Sequence, residues 1–362
     1  MLLASLLLAQ PAGALTYPIT IPYDRSWPMS MVVDSARGLL YLDAVSGDYP
    51  PTGYTFGIIN VTSHTLVKTL PLNVSSGPMA LDQESGDVYV AGGNQIAVLD
   101  GENQTFVQQF TVGYQIRALA HDGSVSPDVF FSSGAQVFAL NPQSGAIVGN
   151  TTMTSYVGAI AVDPSNGRLY VGLYPSPTIA VLDASSLATI GTITLPTCCA
   201  LQLSLDENTQ TLYAATGTNY VVAVSAGTDT DLRELQVTSS PQNSTNFVAA
   251  DNATGSVFVA SSPGGSIVEV DGSTGAIRGV SKVSSQVAGL ALDTKTQELY
   301  ASNYHEVTVF DTARARSFLF AVIIAGGVAI VAVVGVYLLL GRREERARAR
   351  IQSGWSPSPQ PG

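Results

Sequence analysis

The stretch LALDTKTQELYAS, residues 290–302, contains a short apolar run, an aspartate, a polar turn and then an apolar–aromatic pair. The same phrase returns as MVVDSARGLLYL from 31, MALDQESGDVYVAG from 79, AVDPSNGRLYVG from 161, LSLDENTQTLYAA from 203 and VAADNATGSVFVA from 248. A degenerate copy, ALAHDGSVSPDVFF, starts at 118. The aspartates of these phrases, Asp34, Asp82, Asp122, Asp163, Asp206, Asp251 and Asp293, stand 40 to 48 residues apart. Each unit continues into a second apolar run, such as QIAVLD at 95, TIAVLD at 178 or SIVEVD at 266, and then a final alternating run, such as TFVQQFTV at 105 or ATIGTITL at 188. Period-two alternation bounded by turn residues marks strands. Four strands per repeat, seven repeats and no helices between them predict a β-propeller. The seventh unit stops after its third strand, EVTVFD at 306–311, and TYPITIPYD from Thr16 can supply the fourth. The expected fold is all-β: a seven-bladed β-propeller of four-stranded antiparallel blades, closed by pairing of the N-terminal strand with the last blade so that no edge is left open, plus one C-terminal transmembrane helix.

The two ends carry a different kind of signal. Residues 1–15, MLLASLLLAQPAGAL, form a short apolar run followed by the small-residue pattern Ala12-Gly13-Ala14 and read as a signal peptide. Residues 318–340 are 23 consecutive residues without a charge; as a helix they would span about 34 Å, against a hydrocarbon core of about 30 Å. Five arginines follow in GRREERARAR, whereas only Arg314 and Arg316 precede the run. The bias places the C-terminus in the cytoplasm and the propeller outside. The expected organisation is a signal peptide (1–15), a propeller ectodomain (16–312), a juxtamembrane linker (313–317), a transmembrane helix (318–340) and a cytoplasmic Arg-rich and Pro/Ser-rich tail (341–362). This places the protein at the cell membrane as a single-pass protein with an extracellular N-terminal domain. The 362 residues carry a net charge of −11, which argues against nucleic-acid partners, since these demand a basic footprint.

The repeat resembles the YVTN family of β-propeller repeats, found in secreted and surface-layer proteins, particularly archaeal ones. Tyr300-Ala301-Ser302-Asn303 and Tyr89-Val90-Ala91-Gly92 stand where that family writes its signature tetrapeptide, and Asp100, Asp183, Asp271 and Asp311 match the aspartate of its V-x-V-I-D segment. The resemblance covers about residues 17–312 and implies a scaffold without specifying an activity.

The recurring aspartates invite a calcium hypothesis. An aspartate between a strand and a tight turn instead accepts hydrogen bonds from the backbone of its own turn, and recurrence in every unit marks a structural device. Tyr41, Tyr89, Tyr170, Tyr213 and Tyr300 share one position in each second strand and are expected to pack between blades. Cys198 and Cys199 are adjacent in the link from blade 4 to blade 5; they can form a vicinal disulfide or remain reduced and buried. Quinoprotein propellers set such a ring against their cofactor, but they also repeat tryptophans, and this chain has only Trp27 and Trp355. Six Asn-x-Ser/Thr sequons, at Asn60, Asn73, Asn103, Asn150, Asn243 and Asn252, mark glycosylation sites. No metal site or cofactor is expected, and no hydrolase, P-loop or dinucleotide fingerprint occurs.

In a meander, the first–second and third–fourth turns share one face. The second–third loops and inter-blade links share the other. Here the first set is short and formulaic, while the second is irregular and holds aromatics: Tyr49, Tyr54, Tyr174, Tyr220 and Tyr304 in or beside loops, and Trp27, Tyr114 and Tyr156 in links. Aromatic enrichment on loops marks a recognition surface, or else a plug of the channel mouth. The expectation is a non-catalytic binding, adhesion or envelope-interaction module, engaging an envelope glycan or a surface protein. The alternative is an extracellular propeller enzyme of quinoprotein or lactonase type, with its site at the channel mouth.

Overall fold

A computed structural model describes residues 16–22, 26–47, 52–237, 244–262, 265–303 and 306–313. The signal-peptide, transmembrane and tail assignments lie outside those residues; among the described residues no helix is long and apolar enough to cross a membrane. The strands form seven four-stranded sheets. Six are consecutive in the chain, within residues 26–71, 79–111, 119–152, 156–194, 202–236 and 244–282. They are blades 1 to 6. Blade 7 combines Gly289–Asp293, Glu298–Asn303 and Glu306–Asp311 with Thr16–Pro22, which lies antiparallel along the third of these with Ile19 opposite Val309 and Pro22 opposite Glu306.

The second strand of each blade explains why the sheets assemble. In blade 1 it runs Leu39–Ser46, and successive side chains point to opposite faces. Leu39 and Tyr41 enter a cluster with Val88 and Val90 of blade 2, while Leu40 and Leu42 enter one with Tyr300 and Val309 of blade 7. Both faces are apolar, so neither can be left in water. Seven such clusters occupy the seven interfaces, and each receives one aromatic from the equivalent position: Tyr41, Tyr89, Phe130, Tyr170, Tyr213, Phe258 and Tyr300. Burying one such side chain contributes about 1.5–3 kcal/mol. Desolvation raises the phenols of Tyr41 and Tyr170 to about 12, which keeps them neutral. The Tyr170 hydroxyl donates to the Ala226 carbonyl of blade 5 at 2.7 Å.

The aspartates at the first turns do what the turn geometry requires. Asp34 accepts from Arg37 N at 2.9 Å, Asp82 from Glu84 N at 2.9 Å, Asp122 from Ser124 N at 2.9 Å, Asp163 from Ser165 N at 3.0 Å and Asp251 from Ala253 N at 3.0 Å. Asp206 accepts from both Asn208 N and Thr209 N at 3.0 Å, and Asp293 from Lys295 N at 2.9 Å. The third–fourth turns repeat the device with Asp100, Asp183 and Asp271, or with Asn60 and Asn141 in their place. The hydroxyls of Ser185 and Ser186, followed by the amide of Ser186, hold the Asp183 carboxyl down to about 2.

The outer strands carry a second recurring device. In blades 1–4 and 6 the pairing of third and outer strands slips at one point, leaving Val67, Val107, Val148, Ile190 and Arg278 unpaired. A bulge there twists the open edge and discourages edge-to-edge association.

Asp206 is 1% exposed, so replacing it leaves two turn amides without their acceptor. Asp206→Ala is expected to lower stability by about 2 kcal/mol, read as a lower urea midpoint with an unchanged slope.

Candidate functional site

The two faces of the ring differ physically. On the regular-turn face, residues of the inner strands of blades 1–5 and 7 enclose a channel cavity of about 390 Å³. Most of its lining residues are apolar, with Gln83, His121, Asp122 and Glu207 as the polar side chains. Burial, then the charges of Asp122, Asp163 and Asp206, raise the Glu207 carboxyl above its ordinary value. His121 faces Asp82 at 3.4 Å, whereas His64 bridges to Glu298 of blade 7 at 2.9 Å. The two histidines serve different interfaces. Among the described residues no group of three or more His, Cys, Asp or Glu side chains is placed to hold a metal ion.

On the irregular face, the inter-blade links hydrogen-bond to the second–third loops: Val112 N to Asn94 O at 2.9 Å, Met153 N to Ala135 O at 2.7 Å and Leu195 N to Pro177 O at 2.7 Å. Their apolar residues, including Leu72, Ile116, Met153 and Leu195, drop into the inter-blade clusters. Over blades 3 to 5 this construction leaves a cleft of about 720 Å³ lined by Gln115, Arg117, Tyr156, Gly158, Tyr174 and Leu201, among others. That volume is within the range of small-ligand sites, about 300–1,000 Å³.

Two glycines set its depth. A Cβ on Gly172 would stand 2.7 Å from the Ala200 Cβ, and one on Gly158 would stand 3.0 Å from the Ala200 carbonyl oxygen. The link from blade 4 to blade 5 therefore lies directly on the blade 4 sheet. In that link Cys198 and Cys199 are joined as a vicinal disulfide. Cys198 is exposed and its sulfur lies 3.7 Å from the Pro175 carbonyl oxygen, a packing contact, since a disulfide sulfur has no proton to donate. Pro175 follows Tyr174 through a cis peptide bond.

The aromatics read from the sequence whose side chains are described do not form one surface. Tyr156 and Tyr174 are 63% and 49% exposed and flank the cleft; they are cross-strand partners, so both side chains leave the same side of the sheet. Tyr114 is 42% exposed and its ring lies 4.6 Å from that of Phe138. Tyr54 instead packs against the cluster between blades 1 and 2, and Tyr220 is half-buried. Neither Trp27 nor Tyr156 is in a link: the first strand of blade 1 begins at Ser26 and pairs Trp27 with Val45, and the first strand of blade 4 begins at Tyr156. Tyr49 and Tyr304 lie outside the described residues. Sequence reading passed over Gln115, Arg117 and Leu201, because nothing in the repeat distinguishes them.

The sequons separate in the same way. Asn73, in a link, and Asn150, on the outer strand of blade 3, are exposed. Asn103 is exposed, but its Nδ2 donates to Asp100 at 2.8 Å. Asn60 caps its own turn by accepting from Ser63 N at 2.9 Å, and the Asn252 Oδ1 is buried. Asn243 lies outside the described residues.

Beneath the irregular face an acid is wholly buried. Asp43, in the second strand of blade 1, accepts from Ser30 N at 2.8 Å and from the Ser76 hydroxyl and Gly77 N at 2.7 Å. It thereby ties the strand to the link toward blade 2. Burial outweighs these three bonds and raises its carboxyl to about 6. The chain matches no protein-family profile, and no curated protein matches it at a significant level.

A carboxyl whose pKa rises on folding stabilises the fold below its unfolded value, and that contribution is lost as pH rises through its folded value. The advantage of wild type over Asp43→Asn is therefore expected to shrink by about 2 kcal/mol between pH 4 and pH 7. Parallel urea titrations at the two pH values measure it; a constant difference would contradict the assignment.

Proposed function

We propose that the chain is a single-pass cell-surface protein whose seven-bladed ectodomain is a non-catalytic binding module for an envelope glycan or surface protein. The strand Thr16–Pro22 acts as the latch of the ring, holding first and last segments in one blade. The observation that carries the binding assignment is the cleft of about 720 Å³ on the irregular face, flanked by the solvent-facing rings of Tyr156 and Tyr174. An aromatic ring kept in water at a concave site has a large apolar surface to offer a ligand and a hydroxyl to orient it. The repeat's resemblance to YVTN propellers of secreted and surface-layer proteins agrees with the surface location. So do the uncharged run at 318–340 and the arginines behind it. The chain leaves the last blade at Asp311, which pairs with Glu298 at the regular-turn end, opposite the cleft.

Detergent-solubilised full-length protein is expected to capture native envelope fragments, and Tyr156→Ala/Tyr174→Ala to lose at least tenfold of that capture with an unchanged melting temperature. Equal capture by the double variant would remove this face from consideration. If the protein is made in a glycosylating host, mass spectrometry is expected to find Asn73 and Asn150 occupied and Asn252 empty.

A further inference from the structure

The cleft contains one feature that a generic aromatic surface does not need. Arg117 lines it, and among the described residues its guanidinium makes no ion pair or hydrogen bond, unlike every other described arginine. Arg37 pairs with Asp34, Arg168 with Asp229 and Arg278 with Asp271, while Arg233 donates to the Gly272 carbonyl. In a protein of net charge −11, carboxylates are the most available partners. Yet the cleft lining contains none. The backbone of Arg117 is nevertheless held firmly: its N–H donates to Ser132 O at 3.0 Å, and the next residue, Ala118, donates to the Ser132 hydroxyl at 3.1 Å. The result is a fixed root with a free charged head, inside a concavity.

We infer that the cleft is a site for a carboxylated sugar, with the Arg117 guanidinium taking the carboxylate and the rings of Tyr156 and Tyr174 taking the pyranose. This rests on the binding role proposed above and specifies its ligand class. A guanidinium matches a carboxylate with two parallel N–H···O bonds, and such charge-assisted pairs are among the stronger hydrogen bonds. One cation answers one negative charge, which suits a uronate better than a doubly charged phosphate. The Gln115 side chain adds a donor and an acceptor for ring hydroxyls at the same wall. The apolar face of a pyranose supplies the surface that two tyrosines on one side of a sheet are placed to cover. The link pressed onto Gly158 and Gly172 holds Leu201 at the cleft and closes its blade 5 side.

The test uses detergent-solubilised full-length protein and two probes: trigalacturonic acid and its methyl ester, titrated calorimetrically. Wild type is expected to bind the acid at least tenfold more tightly than the ester. Arg117→Gln should abolish that preference at an unchanged melting temperature, and Arg117→Lys should restore part of it. Tyr156→Ala/Tyr174→Ala should weaken both probes equally. Equal binding of acid and ester, or a preference insensitive to Arg117→Gln, overturns the inference. Failure to bind either probe by a protein that still captures envelope fragments overturns this inference alone. Failure of both assays overturns the binding role as well.

Discussion

A four-stranded sheet with apolar side chains on both faces cannot end in water on either side. That constraint organises everything else in this molecule. Tyr41 and Leu40 are adjacent in the chain yet enter different clusters, one shared with blade 2 and one with blade 7. Each blade is therefore stable only as a filling between two others, and a circular arrangement is the way to give every blade two neighbours. The core is accordingly seven separate interfaces in a ring, each centred on an aromatic from the same register position.

The ring then divides its own surface into two kinds of work. The regular-turn face is assembled from carboxylate-capped turns that satisfy their own backbone within a few residues, such as Asp206 with Asn208 N and Thr209 N. These turns hold the strands in register and leave little chain over. The irregular face bridges longer gaps, from outer strand to the next inner strand. Its links are held by hydrogen bonds to neighbouring loops and by apolar residues dropped between blades. Where the link from blade 4 to blade 5 lies on the sheet, with Ala200 against Gly158 and Gly172, a cleft opens beside it.

Charge follows the same division. Most of the acidic excess is committed to turns, where carboxylates are held by backbone amides, hydroxyls or arginines. Asp43 differs from the acids of the turns: it bonds a link instead of its own turn, and burial raises its carboxyl to about 6. Arg117 is the exception among the described arginines, because its head faces an open cleft with no carboxylate in the lining. Among the described residues, an acidic protein thus sets an unpaired arginine beside its two most exposed tyrosines.

The number of blades, the four strands in each, the role of the recurring aspartates and the inward turn of Tyr41, Tyr89, Tyr170, Tyr213 and Tyr300 were all determined by the sequence alone. Each is written in a local pattern, either a period of two or a turn that closes within three residues, and a local pattern is visible without knowing what lies across the ring. The site was only partly legible. Aromatics in loops were recognisable as residue types, but no local rule separates Tyr174, which stays in solvent, from Tyr54, which packs against the next blade. Arg117 could not be singled out at all, since its importance lies in what is absent around it. Whether a side chain lacks a partner depends on residues such as Gly134 of blade 3, Tyr156 and Tyr174 of blade 4 and Leu201 of the next link. Only the packing of blade against blade brings them to one cleft.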